Sequence, residues 1–170
     1  MSIVAKRRSG TGSSRVASMQ QISAQQWSMY PGLHESITEL LEDDGLIFIF
    51  HETDEDKGRV QEYDTNVMGR FLCRNRACAT NGWSSKKVAV TIRMYTGNEY
   101  NVRVYHQQCR NCRSFSTPLL DGSYAERVAY RLRRWSGVDL IPPPYFESTG
   151  PPHESRLCAG CQNGHCRQQG

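Results

Sequence analysis

Two runs of strict alternation stand out along the chain. Val88, Val90, Ile92 and Met94 alternate with Ala89, Thr91, Arg93 and Tyr95. Beyond Thr96-Gly97-Asn98-Glu99, Tyr100, Val102 and Val104 alternate with Asn101, Arg103 and Tyr105. Successive side chains of a strand point to opposite faces, so each run predicts a strand with one apolar face, and together they predict an antiparallel hairpin. A two-residue turn at Gly97-Asn98 would oppose Ile92 to Arg103 and set the two faces at odds. An odd loop that pairs Ile92 with Val104 removes the conflict and is the expected register. Arg93, Tyr95, Arg103 and Tyr105 would then line the outward face.

Helical spacing appears twice. After Pro31, Leu33, Ile37, Leu40 and Leu41 share one face and Gly45 suits the stop. The acidic end of this helix, Glu42, Asp43 and Asp44, has the wrong sign for a helix C-terminus and calls for a basic neighbour. The second helix is marked by Ser123-Tyr124-Ala125-Glu126, which reads as a capping box with Ser123 at the N-cap. Ala125, Val128, Ala129, Leu132 and Trp135 form its buried face, Arg127, Arg131 and Arg134 line another, and Gly137 lies just past its end. Leu46 to Phe50 reads as a strand and Thr53 to Lys57 as a loop. Residues 1–26, rich in Ser, Gly and Gln and carrying Lys6-Arg7-Arg8, read as a disordered basic tail. Residues 27–68 read as an acidic helix-strand segment that packs on the remainder. Pro142-Pro143-Pro144 and Gly150-Pro151-Pro152 read as extended connecting chain.

With 38% hydrophobic residues in 170, the chain is poor in core and metal staples become plausible. The N-terminus lacks the apolar stretch of a secretory signal, and Leu46 to Phe50 is too short to span a bilayer, so no transmembrane segment is expected. An odd cysteine count also disfavours an oxidised scaffold, which makes a cytoplasmic or nuclear setting the expectation.

The cysteines change the picture most. All seven, with His153, fall into close pairs: Cys73/Cys78, Cys109/Cys112, Cys158/Cys161, and His153/Cys166 around the third. Eight such ligands fill two tetrahedral Zn²⁺ sites with none over. The hairpin carries the chain out from Cys78 and back to Cys109, which is the logic of a zinc ribbon. Three groupings of the four pairs are possible. The sequential one is expected, with Cys73, Cys78, Cys109 and Cys112 on one ion and His153, Cys158, Cys161 and Cys166 on the other. His165 competes with His153, but its adjacency to Cys166 makes joint ligation harder.

Metal also revises the charge. The formal +4 counts cysteines as neutral. Seven thiolates and two Zn²⁺ bring it to about +1, so the apparent basicity largely vanishes. What remains is uneven. Glu35 to Asp64 holds 11 acidic residues against Lys57 and Arg59, whereas Arg70 to Arg134 holds 13 basic residues against Glu99, Asp121 and Glu126.

Gly69-Arg70-Phe71-Leu72-Cys73, Gly82-Trp83-Ser84-Ser85-Lys86-Lys87, Tyr105-His106-Gln107-Gln108-Cys109-Arg110-Asn111-Cys112 and the closing His153-x4-Cys158-Ala159-Gly160-Cys161-Gln162-Asn163-Gly164-His165-Cys166 resemble the 3CxxC-type zinc-finger domain over about residues 69–166. The small stand-alone fungal members are the nearest in character. The resemblance extends to receptor-transporting proteins, which help receptors reach the cell surface, and to zygote arrest proteins, whose similar domain binds RNA. The first pair departs from the pattern by being Cys-x4-Cys, and a membrane anchor after Cys166 is not expected.

The expectation is thus an α+β, zinc-stapled domain with an antiparallel hairpin or sheet and one or two packed helices, acting as a non-catalytic protein-interaction module. The alternative is RNA or single-stranded nucleic-acid binding on the outward hairpin face, unless the acidic segment docks there within the chain. Catalysis is not expected. The zinc-deaminase pair of His-x-Glu and Pro-Cys-x-x-Cys is absent, His153-Glu154-Ser155-Arg156-Leu157 is not His-Glu-x-x-His, and no βαβ pattern frames a redox Cys-x-x-Cys.

Overall fold

A computed structural model describes residues 25–142 and 152–167. The expected tail up to residue 24 and the proline-rich stretch from 143 to 151 lie outside the described residues. A six-stranded sheet organises the rest. Its strands are β1 (Trp27–Ser28), β2 (Ile49–Phe50), β3 (Arg59–Phe71), β4 (Trp83–Tyr95), β5 (Glu99–Tyr105) and β8 (Pro118–Leu120), in the order β1-β5-β4-β3-β8 with β2 also on β5. All pairings are antiparallel except β2 with β5. A separate small ribbon joins β6 (Gln107–Gln108) to β7 (Phe115–Ser116). The helices are α1 (His34–Glu42), α2 (Ser123–Trp135) and the single turn α3 (Ala159–Gln162).

The β4-β5 hairpin forms with an odd loop, Thr96-Gly97-Asn98, but two residues tighter than expected: Ile92 faces Val102 and Val90 faces Val104. Gly97 (φ 84°) and Asn98 (φ 55°) both take the left-handed region, which Gly and Asn tolerate best. The apolar faces still match, because a slip by two residues keeps every side chain on its own side.

The longest element that the sequence pattern misses is β3. It runs 13 residues and supplies the central pairing with β4. It also crosses the boundary expected at 68/69, so the acidic segment and the cysteine-rich part share one sheet. The strand expected over Leu46 to Phe50 shrinks to Ile49–Phe50.

One face of the sheet carries Val67, Phe71, Val88, Val90, Ile92, Val102 and Val104, covered by Ile37 and Leu41 of α1 and by Tyr124, Val128 and Leu132 of α2. The N-cap of α2 is Gly122, not Ser123, and the capping box does not form. Instead the Asp121 carboxylate accepts the Ser123 amide at 2.9 Å, while the Ser123 hydroxyl accepts from the Met68 amide at 2.8 Å and so ties α2 to β3. The basic neighbour called for by the acidic end of α1 is Arg133, which lies 2.5 Å from Asp44 and donates to the Leu40 carbonyl.

The opposite face is covered as well. Arg93, Tyr95 and Tyr105, expected to face outward, are buried. Asp54, in the loop after β2, accepts from Arg93 (2.6 Å), Arg103 (2.8 Å) and the Trp27 indole (2.7 Å), and Tyr95 donates to the Glu55 carbonyl. The acidic segment therefore docks over the cationic and aromatic face within the same chain.

Candidate metal centre

All eight predicted ligands are brought together, in the sequential grouping. Cys73, Cys78, Cys109 and Cys112 form one cluster and His153, Cys158, Cys161 and Cys166 the other, with the donor atoms of each within 4.8 Å of one another. All seven cysteines are free of disulfides.

The first cluster sits where two hairpins end. β3 and β4 pair down to Phe71 opposite Trp83, whose rings stack at 5.1 Å, and the connection between them carries Cys73 and Cys78. The β6-β7 ribbon carries Cys109 and Cys112 in its turn. Backbone bonds shape both knuckles: Cys78 N–H to the Asn75 carbonyl (2.9 Å) and Arg113 N–H to the Cys109 carbonyl (2.8 Å). The sulfurs of Cys73 and Cys112 lie 3.5 Å apart and those of Cys78 and Cys109 3.8 Å apart. A tetrahedron with Zn–S bonds of about 2.3 Å has edges of about 3.8 Å, so the donor set fits Zn²⁺. Bonds from the Thr80 hydroxyl and amide, and from the Asn111 side chain, hold the Cys78 thiol down to about 6. Ser114 lowers Cys112 in the same way, whereas desolvation pushes Cys73 up to about 12. Hydrogen bonds to a thiolate favour its charged form, so Thr80, Asn111 and Ser114 prepare the sulfurs for a cation. Cysteine spacing alone points to none of Thr80, Ser114 or the Asn111–Cys78 contact. The polar residues within and just after each pair were the available signal.

The second cluster is built against the sheet. Cys158 pairs with Gln107 as an isolated bridge, and the Ala159 amide donates to the His106 carbonyl at 3.0 Å. α3 then lies so close to β4 that a Cβ on Gly160 would come within 2.4 Å of the Ala89 Cβ. His153 Nε2 lies 3.3 Å from the Cys161 sulfur and 3.6 Å from that of Cys166. Tetrahedral N–S edges are about 3.5 Å, so this set also fits Zn²⁺. The contact with Cys166 and then burial raise the Cys158 thiol, and burial raises Cys161, as expected for sulfurs that carry charge only beside a cation. His165 is engaged elsewhere. Its Nδ1 is 3.1 Å from the Asp64 carboxylate and its ring stacks on Tyr105. Its partner Asp64 also accepts from Thr91 at 2.6 Å.

Arg110, between two ligands of the first cluster, bonds Glu154 beside His153 and so ties the clusters together. His106 is buried between Ser28 and the Gln25 carbonyl, and His51 stacks on Tyr95, so both are structural. Among the described residues no helix is long and apolar enough to cross a membrane.

Residues 66–164 match the family model of the 3CxxC zinc ribbon, described as a zinc-binding domain. No curated protein and no solved structure matches the chain. The family match covers more than half of the sequence, and the chain belongs to the 3CxxC zinc-binding family, with two clusters that fit two zinc ions.

Proposed function

From this membership, we propose that the chain is a non-catalytic zinc module whose two ions hold a surface for a protein partner. The observation that carries the reading is the donor count. Each cluster offers four protein ligands, which closes a tetrahedral shell, whereas catalytic zinc keeps a position open for water. A bound ion there supplies cross-linking, on the order of 10 kcal/mol where the fold forms only with the metal in place. A reduced setting, cytoplasmic or nuclear, is the one in which seven thiols persist as ligands.

Nucleic-acid binding was motivated by Arg93, Tyr95, Arg103 and Tyr105. That face is covered by the Asp54 loop, so protein is the favoured partner. The test is affinity capture from cell extract with the zinc-loaded chain, with and without nuclease treatment. The expected result is a protein retained after nuclease and lost when Cys158→Ser is the bait. Partners released by nuclease, or salt-sensitive shifts with a random RNA pool at low micromolar protein, would favour the alternative. A zinc-bound water detected after cobalt substitution would reopen catalysis.

A further inference from the structure

The exposed margin of β3 carries an unusual arrangement. From Arg59 to Met68 its outer edge has no strand partner among the described residues, since β8 pairs only with Gly69 to Phe71. Tyr63 lies in this stretch, on the helix-covered face shared by Thr65 and Val67. The guanidinium carbon of Arg131, from α2, lies 3.2 Å from the centre of the Tyr63 ring. That of Arg167 lies 4.1 Å from the same centre. Arg167 gets there from the second metal cluster: Asp64 and Asn66 contact His165 and Cys166 on one face of β3, and one residue later the chain reaches the ring on the other. Arg134, three residues along α2, lies on the same side of the helix as Arg131.

Two cations on one ring repel each other, and among the described residues no carboxylate forms an ion pair with either. None of Arg131, Arg134 and Arg167 has an ion-pair partner among the described residues, and the Arg131 Nε is buried without a hydrogen-bond acceptor. Burial lowers the proton affinity of Arg131 most; Arg167 and Arg134 push the same way, against Tyr63 and Tyr130. A cluster held together by an aromatic ring, with its charge unpaired among the described residues, is suited to an external anion. Guanidinium forks match the oxygens of phosphate, and a dianion with three terminal oxygens can engage all three arginines. A phosphodiester carries one charge and two free oxygens, and the single ring here is already taken by guanidiniums, leaving no platform for a base.

We propose that Arg131 and Arg167, both over the Tyr63 ring, together with Arg134 one turn along α2, form a recognition site for a phosphomonoester. The proposal rests on the protein-binding reading only for the source of the phosphate, which would be a phosphorylated side chain of the partner.

The test uses the full zinc-loaded chain and the arginine Nε–H resonances. The probes are acetyl-phosphoserine amide, inorganic phosphate, acetyl-serine amide at matched ionic strength, and a ten-residue oligouridylate. Phosphoserine should shift the resonances of all three arginines saturably in the millimolar range, and acetyl-serine amide should not. Arg131→Gln combined with Arg167→Gln should weaken binding at least tenfold with two zinc ions retained. Arg134→Gln, at an exposed helical position, should weaken it severalfold, and serves if the double variant fails to fold. Phosphoserine binding tighter than inorganic phosphate assigns the phosphate to a protein, and equal binding assigns it to free phosphate; both uphold the site. Absence of saturable shifts, wild-type affinity in the folded variants, or arginine-dependent binding of oligouridylate alone would overturn it. Loss of phosphate binding with partner capture intact would leave the zinc-module reading standing.

Discussion

The two metal clusters have the same role and very different surroundings. The first is held by hairpin ends: three of its four cysteines are partly exposed, and none of the four packs within either hydrophobic core. The second lies on the sheet, where Cys158, Ala159 and Cys166 are buried with Ala89 and Tyr105 as a second hydrophobic core. One ion would therefore staple a surface ribbon, and the other would hold down a layer of the fold. Equal ligand chemistry need not mean equal structural weight; what the ligating segment covers decides it.

This contrast can be broken by substitution. Cys166→Ser should have the largest effect. Losing the buried site removes stabilisation on the order of 10 kcal/mol, comparable to the whole stability of a domain, so no cooperative thermal transition should survive. Asp54→Asn comes next. It strips the closer of two charge partners from Arg93, which is 0% exposed, and should cost about 2–3 kcal/mol in denaturant melts, below the range for fully buried pairs because Asp54 is itself partly exposed and Asp56 remains. Burial raises the Asp54 pKa, but bonds from Trp27, Arg93 and Arg103 outweigh it and hold the carboxyl below its ordinary value. A depressed folded pKa stabilises above the unfolded value and fades as pH falls through the folded one. The gap between wild type and Asp54→Asn should thus be full above about pH 4 and narrow below it.

Gly160→Ala should cost about 1–3 kcal/mol by forcing α3 away from Ala89, read as a lowered melting temperature with both ions still bound. The smallest change in global stability belongs to Cys78→Ser. One ion should be lost and the amides of the β6-β7 ribbon should exchange faster, while the main transition moves by less than about 1 kcal/mol. A collapse of the whole fold in that variant would erase the distinction between the clusters.

The sequence was most legible where chemistry is local. Cysteine spacing picked out the seven sulfurs, because ligand pairs sit in single turns. It left the grouping and the choice between His153 and His165 open, and the expected sequential set is the one the fold brings together. Period-two alternation found β4 and β5, and helical spacing found α1 and α2. β3 was missed because Glu62, Asp64 and Asn66 make it read as polar, although Tyr63, Thr65, Val67 and Phe71 keep the two-residue period. Asp64 and Asn66 are polar because they meet His165 and Cys166, contacts more than a hundred positions away for the first pair and a hundred for the second. The same long range hid the true setting of Arg93 and Tyr95. Their alternation placed them opposite the apolar face, and only the docked Asp54 loop makes that side an interior. The helix cap slipped because the Ser123 hydroxyl is taken by the Met68 amide, 55 positions away, and by the Asp121 carboxylate.

Stepwise chelation of the zinc-loaded chain, followed together by native mass and amide exchange, tests the unequal weight of the two clusters most directly. Two zinc ions per chain are expected, the first leaving with only the hairpin-end cluster deprotected and the second leaving together with the sheet. A single ion per chain, or release of both while β4 and β5 stay protected, would contradict it.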